Sequence, residues 1–202
     1  RTASDYRELV DDPTLDAIAV CVPAQVHAEV ALAAIGAGKH VFVEKPLALS
    51  LPDCDRMVDA AARAGVCAMV GFNTRRHAQA QRARDAIRRG ELGAIDVVQS
   101  RLTSFHATVP AWNERRATGG GVLMELAIHH VDLWRWLTGD EVDEVVAYAR
   151  TGEREDESAV IVARMGRGAL ATAAFAERTS RTDDVAVFGH RGSVALSLYR
   201  FD

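Results

Sequence analysis

The sequence predicts an α/β unit with a parallel sheet, followed by an α+β unit with a mostly antiparallel open sheet. Up to residue 73 the chain alternates short apolar strands with helices of about 10–15 residues, which is the pattern of consecutive βαβ units. After that point strands follow one another through short turns, and one helix interrupts them. A chain of 202 residues with 49% hydrophobic content can bury two such cores. We therefore expect two domains, at residues 1–73 and 74–202.

The predicted α/β unit contains three helices and three strands in alternation. Ser50 is expected to cap the third helix, because a serine oxygen accepts hydrogen bonds from the first helical amides, and Gly65 is expected to end it. Right-handed crossovers then place successive strands in one parallel sheet. The predicted strands are 17–22, 40–43 and 66–72, and the predicted helices are 6–10, 26–37 and 52–64.

The predicted α+β unit begins with a helix at 78–89. Its second helix, at 122–137, follows three consecutive glycines, Gly119 to Gly121. Short turns such as Gly166-Arg167-Gly168 favour antiparallel pairing of the strands that flank them. The predicted strands are 96–105, 144–150, 158–165, 168–177 and 185–189.

The composition favours small-molecule chemistry. The net charge of -4 comes from 24 basic and 28 acidic residues, which are mixed along the chain and give no extended positive field for nucleic acid or anionic lipid. The three cysteines, Cys21, Cys54 and Cys67, are odd in number and widely spaced, as expected of buried thiols in a reducing compartment. No apolar run approaches the roughly 20 residues of a membrane-spanning helix. We expect a cytoplasmic protein with no nucleic-acid or membrane partner.

Lys45 is the first candidate for chemistry. It follows Val41-Phe42-Val43, a run typical of a strand covered on both faces, so Glu44 and Lys45 fall at the carboxyl end of a parallel strand, where α/β sheets bind ligands. Partial burial or a neighbouring positive charge would prepare this lysine for proton transfer. An ion pair with Glu44 or a solvated amine is the alternative.

Glu125 and His129 form the second candidate, because four residues along an α-helix bring two side chains to one face. Asp132 lies one turn further on. A carboxylate beside a histidine can orient the imidazole and tune its basicity, although a buried structural histidine is an equal alternative. A metal site is not expected, because His130 points away from His129 and the HExxH spacing is absent.

His27 lies where the first predicted strand gives way to a helix, at the rim of the sheet. From that position its ring could reach a ligand bound at the carboxyl edge. The alternative is a solvated residue in the first turn of the helix.

Taken together, five stretches resemble the Gfo/Idh/MocA family of NAD(P)-dependent oxidoreductases, the glucose-fructose oxidoreductase and inositol dehydrogenase type. They follow one another in that family's order and cover essentially the whole chain. The stretches are Asp16–Pro23 with His27, Ala33–Pro46 with its Gly-Lys-His-Val-x-x-Glu-Lys-Pro signature, Gly71-Phe72-Asn73 with Arg75, Gly90–Gly93, and Gly119–Asp132.

The resemblance implies part of a Rossmann domain, an open-sheet domain that often forms the oligomer interface, and hydride transfer between NAD or NADP and a sugar or polyol. It implies that Lys45 relays the proton of the substrate hydroxyl, that His129 contacts the same hydroxyl, and that Glu125 stands where an aspartate is usual. Pro23, His27, Glu44 and Pro46 would line the nicotinamide-ribose end of the cofactor site. The amine of Lys45 and the imidazole of His129 are expected to converge.

On the substrate side, Arg75, Asn113 and Asp132 are expected to shape the pocket. Loop residues around His106, Trp112 and Arg115 are expected to set specificity. A homo-oligomer formed through the carboxyl-terminal sheet is the expected assembly.

The chain departs from the family's pattern in three ways. Ala24 replaces an asparagine, which removes a polar contact near the cofactor. Glu125 is one methylene longer than aspartate, which matters at a tolerance of about 0.5 Å for catalytic groups. No GxGxxG precedes the first strand, so we expect a fragment that lacks two βα units, roughly 60 residues, and is also shortened at its end. Such a fragment alone should bind cofactor poorly.

Two other functions stay open at this point. Some proteins of this kind use tightly held NAD transiently to cleave glycosidic bonds. A non-catalytic protein that senses a nucleotide or sugar through the same pocket is the second alternative.

Overall fold

The computed structural model describes residues 2–105 and 110–198 of the chain. It divides into two compact units, Arg1–Gly71 with Ala117–Gly119 and Phe72–Arg116 with Gly120–Asp202, called unit 1 and unit 2 below. The predicted domain limits, 1–73 and 74–202, stay predictions, because compactness alone does not make either part an independent domain.

Unit 1 contains a three-stranded parallel sheet in the order β1-β2-β3. Pairing joins Ala17 to His40 and Val41 to Ala68, so the predicted parallel sheet is confirmed. β1 ends two residues before the predicted boundary because Pro23, which has no N–H, begins a 3₁₀ turn. The elements are α1 (Arg7–Val10), β1 (Ala17–Val20), α2 (His27–Gly36), β2 (His40–Val43), α3 (Leu51–Ala64) and β3 (Ala68–Val70).

The ends of α3 follow the sequence prediction. The Ser50 hydroxyl accepts a hydrogen bond from the Asp53 amide at 3.2 Å, and Gly65 ends the helix with a φ of 66°. Only glycine adopts that left-handed conformation without a steric cost. One face of α3 packs into the core of unit 1, whose buried members include Val20, Ile35, Val41, Val43 and Met57.

Unit 2 contains a six-stranded sheet in the order β5-β6-β7-β4-β8-β9. Only the β4–β7 pair among these neighbours is parallel, so the predicted mostly antiparallel sheet is confirmed. The strands are β4 (Ile95–Phe105), β5 (Val142–Arg150), β6 (Ser158–Met165), β7 (Leu170–Ala176), β8 (Arg178–Gly189) and β9 (Gly192–Ser197).

Two parts of this sheet differ from the prediction. β8 begins at Arg178, well before the predicted start at residue 185, and β9 was not predicted. The first half of β8 is polar and lacks an apolar alternation, so its extended conformation comes from backbone pairing with β4, which places Thr182 opposite Thr103. β9 returns from β8 through a tight hairpin between Gly189 and Gly192.

Helices α4 (Ala78–Arg88) and α5 (Ile128–Thr138) belong to unit 2, and a π-helical turn, Leu123–Ala127, leads directly into α5. The predicted helix 122–137 is therefore two kinds of helix in succession. Trp134 is fully buried, and its indole N–H donates to the Ser100 hydroxyl at 2.7 Å, which joins α5 to β4. Leu133, Leu137 and Phe175 pack in the same core.

The described helices are short. The longest, α3, has 14 residues. Over residues 2–105 and 110–198 none is both long and apolar enough to cross a lipid bilayer.

Candidate active site

Lys45 lies two residues beyond the end of β2, at the carboxyl edge of the parallel sheet. Its backbone N–H donates to the Glu44 carboxylate at 3.2 Å, and the peptide bond to Pro46 is cis. Lys45 and Glu44 are partly buried, whereas Pro46 is buried. The lysine therefore stands on a sharply defined turn at the edge where parallel sheets bind ligands.

His27 is a buried cross-link in unit 1. It is 1% exposed, its Nδ1 lies 2.7 Å from the Pro46 carbonyl oxygen, and its Nε2 lies 2.8 Å from the Val22 carbonyl oxygen. The ring thus ties the chain after β1 to the turn that carries Lys45. This burial excludes the alternative of a solvated residue. Its predicted role toward the cofactor stays a prediction.

The Glu44 carboxylate lies at the carboxyl edge of unit 1, next to Gly71. A Cβ at Gly71 would lie 3.0 Å from both the Glu44 Oε1 and the Phe42 ring, so glycine leaves the Glu44 carboxylate undisturbed. Pro23 and Val22 are exposed on the same edge. A carboxylate is a suitable hydrogen-bond acceptor for a ribose hydroxyl. No GxGxxG turn occurs in residues 2–105 and 110–198 to hold the phosphates.

Four side chains of unit 2, those of His129, Phe72, Arg75 and Asp132, are linked by successive contacts. The His129 ring stands edge-on to that of Phe72 with centroids 6.4 Å apart, and the Arg75 guanidinium lies 5.5 Å from the Phe72 ring centre. Arg75 Nε donates to Asp132 Oδ2 at 2.7 Å, and a second short contact joins Arg75 to Asp132 Oδ1. The structure therefore brings together three predicted site residues, His129, Arg75 and Asp132.

Glu125 lies on the π-helical turn, and its backbone N–H donates to the Gly121 carbonyl at 2.9 Å. Its side chain and that of His129 are both partly buried. The prediction that the two side chains share a face assumed α-helical geometry, which a π-helical turn does not follow. π-helical turns are frequent at functional sites. The catalytic roles of Glu125 and His129 stay predictions.

Asn113 is 5% exposed, and its side-chain oxygen has no hydrogen-bond donor within residues 2–105 and 110–198. Its backbone carbonyl accepts from the Gly121 N–H at 3.3 Å. A Cβ at Gly120 would lie 2.2 Å from that carbonyl oxygen, so the glycine permits the close approach of the two segments. A buried acceptor without a donor suits a substrate hydroxyl.

Sequence reasoning missed two features of unit 2. Phe72 was part of a matched stretch but was not named as a site residue, although an aromatic residue directly before Asn73 and Arg75 was a usable signal. Asp156, discussed below, lies in a charged stretch that resembles a solvated turn. Of the predicted specificity residues, His106 and the Trp112 side chain lie outside the described part of the chain.

A metal centre was not predicted. Within the described ranges, interrupted at residues 106–109, no three His, Cys, Asp or Glu side chains come together as a metal-binding group.

Two family models match the chain in succession. Residues 1–72 match the model described as an oxidoreductase family with an NAD-binding Rossmann fold, and residues 80–195 match the GFO/IDH/MocA C-terminal domain. The chain belongs to the GFO/IDH/MocA family. The family resemblance and the expectation of an NAD-binding fold are thereby confirmed.

Relatives in this family are named dehydrogenases and reductases. The chain is 35% identical to a myo-inositol 2-dehydrogenase of Thermotoga maritima over 199 residues, which is 94% of this chain and 59% of that protein. It is 38% identical to a 1,5-anhydro-D-fructose reductase of Ensifer adhaerens over 157 residues, which is 75% of this chain and 46% of that protein. The chain thus spans 59% or less of these two GFO/IDH/MocA relatives.

Solved structures of family members share the fold. A levoglucosan dehydrogenase in complex with NADH and levoglucosan superposes with a TM-score of 0.92 at 27% identity, covering 99% of this chain and 59% of that one. A probable dehydrogenase from Thermotoga maritima gives a TM-score of 0.90 at 30% identity, covering 96% of this chain and 61% of that one. A GenD2 structure from gentamicin A biosynthesis contains NAD.

Proposed function

We propose that this chain is part of an NAD(P)-dependent oxidoreductase that transfers a hydride between nicotinamide and a sugar or polyol. The observation that carries the proposal is the family membership of both halves of the chain, with Lys45 at the carboxyl edge of the parallel sheet. Sugar and polyol substrates appear in the names of relatives, among them myo-inositol 2-dehydrogenase and levoglucosan dehydrogenase.

Residues at the carboxyl edge of unit 1 would hold the cofactor's nicotinamide end. Pro23 offers apolar surface, Glu44 offers a carboxylate for a ribose hydroxyl, and the His27–Pro46 contact holds the turn between them. When bound, the nicotinamide accepts or gives the hydride. Whether the partner is NAD or NADP depends on residues that contact the adenosine ribose.

Lys45 would act as the general base and general acid for the substrate hydroxyl. During oxidation of an alcohol carbon, its neutral amine accepts the proton of the substrate hydroxyl, and during reduction its ammonium returns that proton to the forming oxygen. General acid–base catalysis of this kind contributes about 10²–10⁴-fold to a rate. By the family resemblance, His129 is proposed as a hydrogen-bond partner of a substrate hydroxyl, and Glu125 as the carboxylate that orients the His129 ring.

Polar groups of unit 2 would bind substrate hydroxyls. The ion pair of Arg75 with Asp132 presents fixed donors and acceptors, and the Asn113 side-chain oxygen is a buried acceptor. Polar groups placed in this way recognise hydroxyls strongly, because a ligand that lacks a hydroxyl leaves them without a partner. This argues for a polyhydroxylated substrate.

Substitution of Lys45 tests the proposal. In the complete polypeptide, Lys45→Met should lower kcat for NAD(P)H formation by about 10²–10⁴-fold on the polyol or sugar that the wild type oxidises. The kcat of Lys45→Arg should also fall, because arginine keeps a positive charge but cannot deprotonate at neutral pH. Unchanged kcat in either variant would remove Lys45 from this role.

The same assay distinguishes the other functions. A panel of myo-inositol, levoglucosan and 1,5-anhydro-sugars is followed for NAD(P)H and, with aryl glycosides, for released sugar. Sugar release without net NADH would indicate the glycosidase. Ligand binding without turnover across the panel would indicate a sensor.

We also propose that a second copy of the chain covers the outer face of the unit 2 sheet. Val146 pairs with Val162 and Tyr148 pairs with Val160 on that face, and these side chains are 48–79% exposed. Exposed apolar surface of this kind marks association sites. Val162→Glu should shift the complete protein toward monomer in light scattering, whereas Leu51→Glu, on the exposed face of α3, should not. An unchanged oligomer in Val162→Glu would contradict the proposal.

A further inference from the structure

The segment between β5 and β6, residues 152–157, is called the bracing loop here. Its sequence, Gly-Glu-Arg-Glu-Asp-Glu, has the composition of a solvated turn, yet Arg154, Asp156 and Glu157 are buried. Asp156 is 0% exposed and has a φ of 50°. A buried carboxylate in the left-handed region costs free energy, so its surroundings must hold it there.

Asp156 is held by the segment that precedes the π-helical turn. The Arg116 NH2 group donates a hydrogen bond to Asp156 Oδ1 at 2.9 Å, and Arg116 Nε lies 2.8 Å from Oδ2 in an ion-pair contact without hydrogen-bond geometry. The backbone carbonyl of Asp156 accepts a hydrogen bond from the Val122 N–H at 2.9 Å. One residue thus contacts both ends of the stretch from Arg116 to Val122.

Glu155 adds a second set of contacts to the same stretch. Its N–H donates to the Glu114 carbonyl at 3.1 Å, and its carboxylate accepts from the Arg116 N–H at 2.5 Å. A Cβ at Gly121 would lie 2.9 Å from the Glu155 carbonyl oxygen, so the two segments pack without a side chain between them. The bracing loop therefore fixes the backbone on both sides of the close approach of Asn113 and Gly120.

Contacts of Glu157 hold the bracing loop in place. The buried Glu157 carboxylate accepts hydrogen bonds from the N–H groups of Glu153 and Arg154, at 2.9 and 3.2 Å. It also lies 3.5 Å from the Arg150 guanidinium and 3.6 Å from that of Arg178. These contacts join the loop to β5 and β8, so a displacement of the loop would have to break the hydrogen bonds and ion pairs of a buried carboxylate.

We propose that Asp156 is a positioning residue for the hydride-transfer reaction, an inference that rests on the function proposed above. Its carboxylate is buried against Arg116, so the proposed effect is indirect. Through Arg116 and Val122 it sets where the chain begins the π-helical turn, and that turn carries Glu125 and leads to His129. Through the same stretch it fixes the backbone beside Asn113, the proposed acceptor of a substrate hydroxyl.

Graded substitutions of Asp156 test the inference in the complete polypeptide. Asp156→Asn removes the charge but tolerates a positive φ, whereas Asp156→Ala also strains the backbone. Because small displacements of catalytic groups are costly, kcat should fall about 10-fold in the first variant and about 100-fold in the second, with KM changed less than kcat. Arg116→Met, which leaves Asp156 in place, should resemble Asp156→Asn and covers the case in which Asp156→Ala fails to fold.

The matched control is Asp184→Asn. Asp184 also forms a two-point ion pair, with Arg101 at 2.7 and 3.1 Å, but it lies in the sheet and contacts no residue of the 114–122 stretch through that pair. Its kcat should stay within about two-fold of the wild type, since surface ion pairs contribute little. A fall in the control equal to that in Asp156→Asn would overturn the inference.

Amide hydrogen exchange supplies a readout that does not depend on the reaction. The Val122 and Glu125 amides should exchange faster in Asp156→Asn and Arg116→Met, and at the wild-type rate in Asp184→Asn. Faster exchange with unchanged kcat would make Asp156 merely structural and would overturn the inference. If the wild type oxidises no compound of the panel, the proposed function fails and the inference fails with it. In an active wild type, unchanged exchange rates in Asp156→Asn and Arg116→Met overturn the inference alone.

Discussion

Arg75 and Asp132 lie 57 positions apart in the sequence and form a two-point ion pair inside unit 2. The two side chains differ in exposure, because the Arg75 side chain is 39% exposed whereas that of Asp132 is 3% exposed. Asp132 is therefore a buried carboxylate whose charge is compensated from the solvent side. The pair joins the turn before α4 to α5, and both partners are proposed substrate contacts.

Removal of Arg75 should destabilise the protein, because the buried Asp132 carboxylate loses its cation. In Arg75→Met, Asp132 keeps its charge in a buried position without the cation, so the free energy of unfolding should fall by about 2 kcal/mol, less than for a fully buried pair because water screens Arg75. Urea denaturation measures the change. Arg89→Met, which breaks the surface-exposed pair with Glu91, should lower the free energy of unfolding by much less than Arg75→Met. Equal losses in the two variants would contradict this account.

His27→Ala should destabilise unit 1. The substitution removes the ring between the Val22 and Pro46 carbonyls, and a buried acceptor left without a donor costs about 1–3 kcal/mol. Thermal and urea unfolding should both report the loss. His190→Ala changes an exposed histidine and should leave stability within about 0.5 kcal/mol. A loss no larger than that of the control would mean that the cross-link is not needed.

Gly120→Ala should disrupt the stretch that leads to the π-helical turn. A Cβ there would lie 2.2 Å from the Asn113 carbonyl oxygen, and because the obstacle is backbone, the chain itself must move. Overpacking of this kind costs about 1–3 kcal/mol. Gly192→Ala, where a Cβ meets nothing within 4 Å, is the matched control and should be neutral. Equal unfolding midpoints for the two variants would be incompatible with the described packing.

Glu157 should make the stability of unit 2 sensitive to acid. Burial opposes its charge, but the N–H groups of Arg154 and Glu153 and the charges of Arg150 and Arg178 lower the pKa of the carboxyl below its usual value. A lowered folded-state pKa contributes stability that is fully present above the unfolded-state pKa and is lost as the pH falls through the folded-state value. Glu157→Gln should therefore show a flatter loss of stability below about pH 5. Parallel wild-type and variant curves would exclude this contribution.

Regular elements with a clear apolar period were predictable. The limits of β2 and β6 coincide with those of the predicted strands, and the cap of α3 was read from Ser50 and Gly65. In both strands the side chains that face the core determine the conformation. The parallel sheet followed from the alternation of strands and helices alone.

The elements that the sequence did not predict are determined by contacts between residues distant in sequence. The polar half of β8 has no amphipathic pattern of its own and becomes a strand only because β4 is there to pair with it. The π-helical turn has the same apolar composition as an α-helix. The bracing loop is rich in charges, and their burial depends on arginines from neighbouring strands that no local pattern connects to it.

The position of β4 has a consequence for how the chain folds. β7 and β8 are separated by one residue, Glu177, yet they do not pair with each other, because β4 lies between them. During synthesis β4 is complete at Phe105, long before Leu170 begins its first partner strand. Non-local pairing of this kind raises contact order and slows folding, and a direct β7–β8 hairpin would compete with it. Refolding of unit 2 should accordingly be limited by insertion of β4 into the centre of its sheet.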